Sequence, residues 1–428
     1  MDRRSARCAV AALAGFGLVG LSATAAMAAT PTTWYVNNQV KCSNSGPGTL
    51  ATPFCTIGTA AAKAVAGQTV SVAAGTYNEA VTVKNSGTAS APITYLAASG
   101  TVVTGGANGF KLSGRSYVVI RGFTVTQTGA VGILVSSSNH VTLDGNDVSV
   151  AGQRVSGLTA KGISLSGTTA SLVENNKTHD NSDAGIGVTS ASNGNTITGN
   201  ESYGNARGFS RAAAGIDLRG SSANVVSANR LHDNEDSGLN IWSSSPNTLA
   251  VNNVIWNNGD HGIDVHSTSD DTVVANTVYK NYDSGIEMTG SLRTYLANNI
   301  SADNGINSAR TSGQLRADST SAPSTTVDYD VLFLSAPQNK QTVYLDWGGT
   351  KYGTLSAFQK ATGQEAHGLQ ADPLFVGTGS TPPDLHLRSG SPAIDSGNNA
   401  ATGEPAVDAD GGTRPVNGTV DRGAYEFH

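Results

Sequence analysis

The sequence contains little cysteine, few charged residues and few prolines. Its three cysteines are too few to supply a cysteine-ligated metal site. Charged residues make up only 14% of the chain and the formal net charge is −6, which argues against nucleic acid and anionic membrane surfaces as partners. With only 13 prolines and a regular apolar pattern, the chain is also unlike a disordered protein.

Long apolar runs are missing as well, apart from one near the start of the chain. Three arginines precede an apolar run over residues 8–21, which is too short for a membrane span. Residues 26–28 (AMA) fit a signal-peptidase site, so residues 1–28 are predicted to be a signal peptide. We therefore expect a secreted, extracellular monomer without membrane contacts, with a single domain over residues 29–428.

Removal of the signal peptide leaves two cysteines, Cys42 and Cys55. An oxidising compartment favours a disulfide between them. The sequence also lacks a phosphate-binding loop, a Gly-x-Ser-x-Gly elbow and a His-Glu-x-x-His zinc motif. The chemistries that depend on those motifs therefore have no support in this sequence.

Glycine is abundant, with 51 residues, and it is accompanied by many serines, threonines, asparagines and valines, which favour turns and strands. A Gly-apolar-x-apolar segment recurs at intervals of 23, 30, 23, 30, 23, 24 and 23 residues. The segments begin at Gly109, Gly132, Gly162, Gly185, Gly215, Gly238, Gly262 and Gly285. An internal repeat of this length indicates stacked structural units.

Asparagines form a second series that keeps step with the first. They are Asn146, Asn176, Asn200, Asn229, Asn253, Asn276 and Asn299. Two periodic signals in phase predict an all-β, right-handed parallel β-helix, a solenoid of coils of about 23 residues with three short strands each. We interpret these asparagines as a structural ladder that bonds from coil to coil.

The two ends of such a solenoid need caps. Residues 52–67 predict a short amphipathic helix that covers the first coils, within an N-terminal cap region over residues 29–100. Regular coils are predicted over residues 101–310, and irregular coils with a C-terminal cap over residues 311–428. The 30-residue periods carry insertions at residues 151–161 and 204–214, which predict a binding groove on one face unless they reflect neutral variation in loop length.

Several segments resemble known secreted β-helix proteins. The segments "WYVNN", "GTLATPFCTIGTAAAKAVAGQTVSVAAGTYNEAVTV" and "GTASAPITYLA" are similar to the opening of the family 9 pectate lyases and their relatives. The segments "DPLF", "LRSGSPAIDSG" and "DRGAYEF" resemble the C-terminal parts of many secreted bacterial β-helix proteins. This resemblance implies the fold more strongly than the chemistry, because the fold hosts lyases, hydrolases, epimerases and binding proteins.

One stretch also resembles the active site of the family 9 lyases, in which a Ca²⁺ site is built from an Asp and, one coil later, an Asp-Asp-Gly-apolar-Asp run. Here Asp236 lies 24 residues before the segment "DHGID". The resemblance implies Asp236, Asp260 and Asp264 as Ca²⁺ ligands, with His261 in place of one aspartate. Glu287 stands where the family has its catalytic lysine.

A second resemblance involves the same coil. The segment "GIDVHSTS" is similar to the Gly-Phe-Asp-Pro-His segment of the mannuronan C5-epimerases. It implies catalytic roles for Asp264 and His266. Val265 replaces the proline of that motif, and no matching tyrosine precedes it.

Strand alternation predicts that Ile and Val of each Gly-Ile-x-Val segment point into the core, while x and the residue after Val point outward. In four successive coils, the x positions are Asp217, Asn240, Asp264 and Glu287. The positions after Val in the same coils are Arg219, Trp242, His266 and Thr289. Stacked carboxylates at this spacing need a cation, a neighbouring arginine or a raised pKa. We expect them to line one flat groove suited to an acidic sugar chain, in which Trp242 stacks on a pyranose and Arg219 pairs with a uronate.

Part of this pattern has a simpler interpretation. Asp183, Asp236, Asp260 and Asp283 each lie two residues before a repeat glycine, and an aspartate repeated at one turn position favours turn chemistry over catalysis. Three more histidines, His140, His179 and His232, are predicted to be surface residues.

The sequence thus favours a polysaccharide-active enzyme, first of all a β-eliminating lyase on a uronic-acid polymer. His261 or His266 would be the base, and Ca²⁺ or Arg219 would neutralise the developing charge. The candidate substrate contacts are Trp242, Asp217, Asn240 and Glu287. The alternatives are a C5-epimerase, an inverting hydrolase using Asp217 and Asp264 at a separation of roughly 9–10 Å, and a non-catalytic carbohydrate-binding or cell-surface protein.

Overall fold

Strands dominate the secondary structure. The structure is a computed structural model, and it describes residues 33–152, 160–208, 213–306, 308, 310, 313–335 and 344–428. The predicted signal peptide lies outside these residues, as do residues 153–159 and 209–212 of the two predicted insertions. The described helices are α1 (Ile57–Lys63), α2 (Leu355–Thr362) and a 3₁₀ turn at Ala322–Ser324.

The strands of the coils form three parallel stacks, and each coil contributes one strand to each stack. The first stack holds twelve strands among the described residues. They are Thr33–Val36, Thr69–Val72, Ile93–Ala97, Ser116–Arg121, Asn139–Asp144, Leu172–Glu174, Thr196–Thr198, Val225–Ser227, Leu249–Val251, Thr272–Val274, Tyr295–Ala297 and Thr326–Asp328.

The second stack contains the Gly-Ile-x-Val segments, and the long strand Thr101–Ser113 joins it to the third stack. The other strands of the second stack are Ile133–Ser136, Ile163–Ser166, Ile186–Thr189, Ile216–Arg219, Leu239–Trp242, Ile263–His266, Ile286–Thr289, Leu315–Ala317 and Leu345–Trp347, which turns back on Thr350–Tyr352. Those of the third stack are Gly75–Thr82, Thr124–Thr126, Asp147–Ser149, Lys177–His179, Glu201–Tyr203, Arg230–His232, Val254–Trp256, Thr277–Tyr279, Ile300–Ala302 and Val331–Phe333.

The coils enclose one long apolar core. The Ile and Val positions of the second stack are fully buried in it, as Ile216, Ile263 and Val265 illustrate. Parallel pairing keeps equivalent residues in register from coil to coil, so that Asp217 lies beside Asn240. The prediction of an all-β parallel β-helix with three strands per coil is confirmed.

Buried asparagines connect the coils. From Asn146 to Asn299, each member of the predicted series donates its Nδ2–H to Oδ1 of the next member at 2.9–3.0 Å, and the last donates to Asp330. The predicted ladder is therefore confirmed. A second ladder, which the sequence did not reveal, joins Asn181, Asn205, Asn234, Asn258, Asn281, Asn304 and Gln314 at 2.9–3.1 Å.

The N-terminal cap agrees with its prediction. Cys42 and Cys55 form a disulfide, and helix α1 buries Ile57, Ala60 and Ala61 against the first coils. Strand pairing continues beyond residue 310, the predicted end of the regular coils, to Leu345–Trp347. No helix among the described residues combines the length and the apolarity that a membrane crossing needs.

The C-terminal part covers both the end of the solenoid and one flank of it. Helix α2 covers the last coils, where Phe358 packs edge-on against Trp347 with ring centroids 5.3 Å apart. The residues that follow α2 lie along the flank, because large apolar side chains of the third stack need cover there. Phe375, for example, packs against Tyr279 with ring centroids 5.6 Å apart.

Replacement of Ile263 by Asp tests the register. Ile263 is fully buried, so the change places an unpaired charge in the core, and we expect the free energy of unfolding to fall by several kcal/mol. Ser267→Asp is the control, because Ser267 is exposed on the same coil. Thermal unfolding measures both variants, and an unchanged melting temperature for Ile263→Asp would contradict the assigned register.

Asp271 provides a test of pH dependence. Its Oδ1 accepts the Thr248 N–H at 2.8 Å, and burial raises the pKa of the carboxyl to about 7. The Asp271 carboxyl thus binds its proton more tightly in the folded chain than in the unfolded chain. The free energy of unfolding therefore falls as the pH rises from about 4 to about 7. Asp271→Asn keeps the acceptor and removes the ionisation, so it should stabilise the protein by about 2–4 kcal/mol at pH 8 and much less at pH 4.

Urea unfolding at the two pH values measures this difference. Asp270→Asn is the matched control, because Asp270 is exposed and its bonds to Arg293 lower the pKa of its carboxyl to about 2. That variant should gain no stability at pH 8. An Asp271→Asn protein no more stable than the parent at pH 8 would contradict the assignment.

Candidate active site

The acidic column of the second stack is buried and does not form an open groove. Asp217, Asn240, Asp264 and Glu287 occupy successive register positions and are at most 5% exposed. They lie outside the apolar core, as the alternation predicted, but the side chains of the neighbouring outward column cover them. The expectation of an open carboxylate surface is therefore wrong, and the carboxylates form the floor beneath a second polar layer.

Arg219 and Trp242 connect two of the carboxylates. The Arg219 Nε donates to both oxygens of Asp217 at 2.9 Å, and its guanidinium lies 4.4 Å from the centre of the Trp242 ring. The Trp242 indole N–H in turn donates to Asp264 Oδ2 at 2.7 Å. This chain fixes the orientation of Asp217 and Asp264, while the Arg219 side chain remains 38% exposed and accessible to a ligand.

Asp264 lies at the centre of the cluster. Burial is the main cause that raises its pKa to about 6; Glu287 raises it further, while His261, Trp242 and His266 oppose the rise. Its Oδ1 is buried and has no hydrogen-bond partner among the described residues. Burial also raises the pKa of Asp217, against the effect of Arg219.

The two site histidines differ in accessibility. His261 is 6% exposed, with Nδ1 3.3 Å from Glu287 Oε2 and Nε2 3.5 Å from Asp260 Oδ2. His266 lies in the outer layer, partly exposed, with its ring centroid 5.3 Å from that of Trp242. His261 is therefore held among carboxylates, whereas His266 faces the surface.

In the turn before the second stack, the residues that could hold a metal ion are not the predicted set of Asp236, Asp260 and Asp264. Donor atoms of Asp260, His261 and Asp283 lie within 4.8 Å of one another, a grouping that could hold a metal ion. Arg310 already binds two of them, with Nε 2.8 Å from Asp283 Oδ2 and a further contact to Asp260. A positive charge of the protein itself therefore neutralises these two carboxylates.

Asp236 differs from that group in having no such cation. Burial, followed by the negative charge of Asp260, raises the pKa of Asp236 to about 7, and its Oδ2 is buried without a hydrogen-bond partner in the described part of the chain. Among the described residues, Asp236 and Asp264 thus each have a buried carboxylate oxygen without a hydrogen-bond partner, and carboxylate oxygens are the ligands that Ca²⁺ prefers. Of the three predicted ligands, however, it is Asp260 that belongs to the described group within 4.8 Å, and Arg310 already binds its carboxylate.

Asn240 is the most unusual member of the column. It is fully buried between Asp217 and Asp264, and neither its Oδ1 nor its Nδ2 has a hydrogen-bond partner among the described residues. Unsatisfied amide groups of this kind cost about 1–3 kcal/mol each. The position of Asn240 thus lowers the free energy of unfolding.

The sequence interpretation missed three cations that border the column. Arg316 follows Glu287 in register and binds its carboxylate, and Arg310 reaches back from a segment without repeat signature. Lys161 donates to Asp183 Oδ2 at 3.1 Å and passes over Gly187, the column position before Asp217. The one signal in the sequence that could have indicated Lys161 was Gly187, because a glycine at this position leaves room for a long neighbouring side chain.

Gly187 and Lys161 can be tested together. A Cβ atom at position 187 would lie 2.3 Å from Cδ and Cε of Lys161, so Gly187→Ala must displace the lysine and leave the largely buried Asp183 unpaired. We expect a loss of about 1–2 kcal/mol. In a Lys161→Ala background the same change should be nearly silent, because the pair is already absent.

Urea unfolding of the parent, the two single variants and the double variant measures this coupling. Gly129→Ala is the matched control, because the space around Gly129 is free to 3.8 Å. Equal costs of Gly187→Ala in both backgrounds would show that Lys161 does not lie over the glycine.

Solved structures share this fold. A pectate lyase, Pel9A, is 17% identical with a TM-score of 0.59, over 93% of this chain and 97% of that chain. XylC, solved in complex with xylose, is 13% identical with a TM-score of 0.56, over 92% and 98%. The A-module of the mannuronan C-5 epimerase AlgE4 from Azotobacter vinelandii is 16% identical with a TM-score of 0.46, over 66% and 84%.

The identities to Pel9A and XylC are low, so these two likenesses show the fold alone. No curated protein matches the chain in sequence. A family model described as the Pel9A-like, right-handed β-helix region matches residues 34–271, more than half of the chain. The protein therefore belongs to the Pel9A-like right-handed β-helix family, as the resemblance of its N-terminal segments to the family 9 pectate lyases predicted.

Proposed function

We propose that this protein is a secreted enzyme that cleaves a uronic-acid polysaccharide by β-elimination at the Asp264 cluster. The observation that carries the proposal is the environment of Asp264. A buried carboxylate with a raised pKa lies beneath an indole, next to two imidazoles, and accessible guanidinium groups border it. Export by the predicted signal peptide is part of the same proposal.

β-Elimination removes the C5 proton beside the uronate carboxylate, so it needs a base and a positive group. We assign the base to His266, because its ring lies in the outer layer beside Trp242. His261 is enclosed by Asp260 and Glu287, and we assign it to balancing the charges of the carboxylate column.

Guanidinium groups supply positive charge on the substrate side. Arg219 and Arg316 each pair with a buried carboxylate while their side chains stay 38% and 35% exposed. Their remaining N–H groups suit the carboxylates of successive uronate units, since guanidinium binds carboxylate in a planar, two-pronged fashion. Trp242 lies beside Arg219 and offers an apolar ring to a pyranose.

Calcium is the cofactor that the family resemblance implies. Asp236 and Asp264 would hold it, since each has a buried oxygen without a hydrogen-bond partner among the described residues. The alternative site is the group of Asp260, His261 and Asp283, where the ion would compete with Arg310. When bound, the ion would add positive charge next to the substrate carboxylate. The assignments of His266, Arg219 and Trp242 do not depend on it.

An inverting hydrolase is the second candidate. Asp217 and Asp264 both have raised pKa values and stand two coils apart, about 9–10 Å, at the upper end of the separation in inverting enzymes. The bond from Arg219 to both oxygens of Asp217 favours a structural role for this residue, so we place the hydrolase second.

A panel of acidic polysaccharides tests the proposal. Polygalacturonate, alginate and glucuronan are incubated with the full chain, with and without added Ca²⁺. A β-eliminating lyase produces new chain ends that absorb as unsaturated uronates. New reducing ends without that absorbance would indicate hydrolysis instead. An altered C5 configuration at constant chain length would indicate epimerisation, and binding alone would indicate a non-catalytic role.

Asp264→Asn links this activity to the site. The side chain lies outside the core and Asn keeps an acceptor for Trp242, so we expect a folded protein whose turnover falls at least about a hundredfold. Asp144→Asn, which affects a surface pair with Arg121 on the first stack, is the matched control and should retain turnover. Wild-type turnover of Asp264→Asn on the true substrate would move the catalytic centre elsewhere.

A further inference from the structure

A second cavity lies on the third stack, away from the Asp264 cluster. Its volume is about 320 Å³, within the size range of ligand sites. The third-stack residues His232, Trp256 and Tyr279 line one side, and residues 378–383 of the C-terminal flank line the other, with Pro382 and Pro383 at its end. We call this cavity the flank cleft.

Stacked rings hold the inner wall of the flank cleft in place. His179, Tyr203, His232 and Trp256 form a continuous stack, with centroids 4.8, 5.0 and 4.2 Å apart and interplanar angles of 2°, 1° and 9°. His179 and His232 are thus largely covered members of an ordered column, not the surface residues that the sequence suggested. Two members of this stack, His232 and Trp256, line the cleft, so the stack orders part of its wall.

The ring edges carry hydrogen-bond donors. Neither the Trp256 indole N–H nor the Tyr279 hydroxyl has a hydrogen-bond partner among the described residues, and both side chains line the cleft. Lys280 adds an ammonium group 5.0 Å from the Tyr279 ring centroid. The carboxylates of Glu201 and Asp233 line the cavity as well and add hydrogen-bond acceptors.

The charges of the flank cleft differ from those of the Asp264 cluster. Glu201 stays ionised, since His232 at 3.6 Å and Lys177 at 3.1 Å lower the pKa of its carboxyl to about 2. Asp233 pairs with Arg207 at 3.2 Å and with His232 at 2.7 Å. Because the protein's own basic groups already pair with both carboxylates, the charges at the cleft are largely balanced, which suits uncharged hydroxyl groups that donate to carboxylates and accept from N–H and O–H groups.

We propose that the flank cleft binds a neutral, hydroxyl-rich sugar unit. Donors and acceptors both line the cavity, and Ser380 and Thr381 extend the polar lining on the side of the C-terminal segment. A neighbouring cavity of about 320 Å³ shares Asn257 and Lys280 with it and reaches Gly259, which precedes Asp260. The proposed site is independent of the reaction at Asp264 and can be tested without turnover.

The test is binding of neutral oligosaccharides to the full chain by titration calorimetry. Cello-, xylo- and galacto-hexaose are the neutral probes, and trigalacturonate is the acidic probe. We expect saturable binding of at least one neutral probe. Trp256→Phe and Tyr279→Phe keep a ring and remove one donor each, so each should weaken binding about fivefold, and the double variant about twentyfold.

Two controls make the result decisive. Tyr117→Phe removes a hydroxyl from a ring that also stacks on a histidine, at 4.6 Å, on the first stack, so binding should not change. Asp264→Asn should also leave neutral-sugar binding unchanged, which separates this site from the proposed lyase site. Any one of three results would overturn the proposal. They are no binding of all three neutral probes, equal affinity of the double variant and the parent, and tighter binding of trigalacturonate at the cleft.

Discussion

Buried amide ladders are the constraint on which the rest of the structure depends. Each ladder asparagine is removed from water and donates its Nδ2–H to Oδ1 of the asparagine in the next coil, 2.9–3.0 Å away in the first ladder. Because a buried unsatisfied amide costs about 1–3 kcal/mol, a shift of one coil against the next would be penalised at every step. The ladders therefore hold each outward column in line, and the acidic column is a consequence of that alignment.

Alignment of this kind creates an electrostatic problem that the chain solves locally. Identical register positions lie about 4.8 Å apart, so acidic residues in one column repel each other in a buried setting. The uncharged Asn240 separates Asp217 from Asp264, and Arg219 and Arg316 neutralise the two ends of the column. Within the described part of the chain, Asp264 is the one carboxylate of this column without a direct ionic partner, and burial raises its pKa to about 6.

The repeat made much of the fold predictable, because a period that recurs many times averages over local propensities. The core positions, the first asparagine ladder, helix α1 and the Cys42–Cys55 disulfide all follow from spacing or composition. Arg310 and helix α2 lie where the period fades, so no register could be extended to them. The burial of the acidic column was missed because alternation gives the direction of a side chain and not what lies above it.

Residues that break the repeat at a cost in stability are the ones that a purely structural role does not explain. A ladder asparagine repeats because repetition satisfies its amide, whereas Asn240 stands alone in its column with both amide atoms unpaired among the described residues. An aliphatic residue would fill the same position without that penalty. The position of Asn240 between two aspartates therefore supports the proposal that the Asp264 cluster binds a ligand whose polar groups reach this amide.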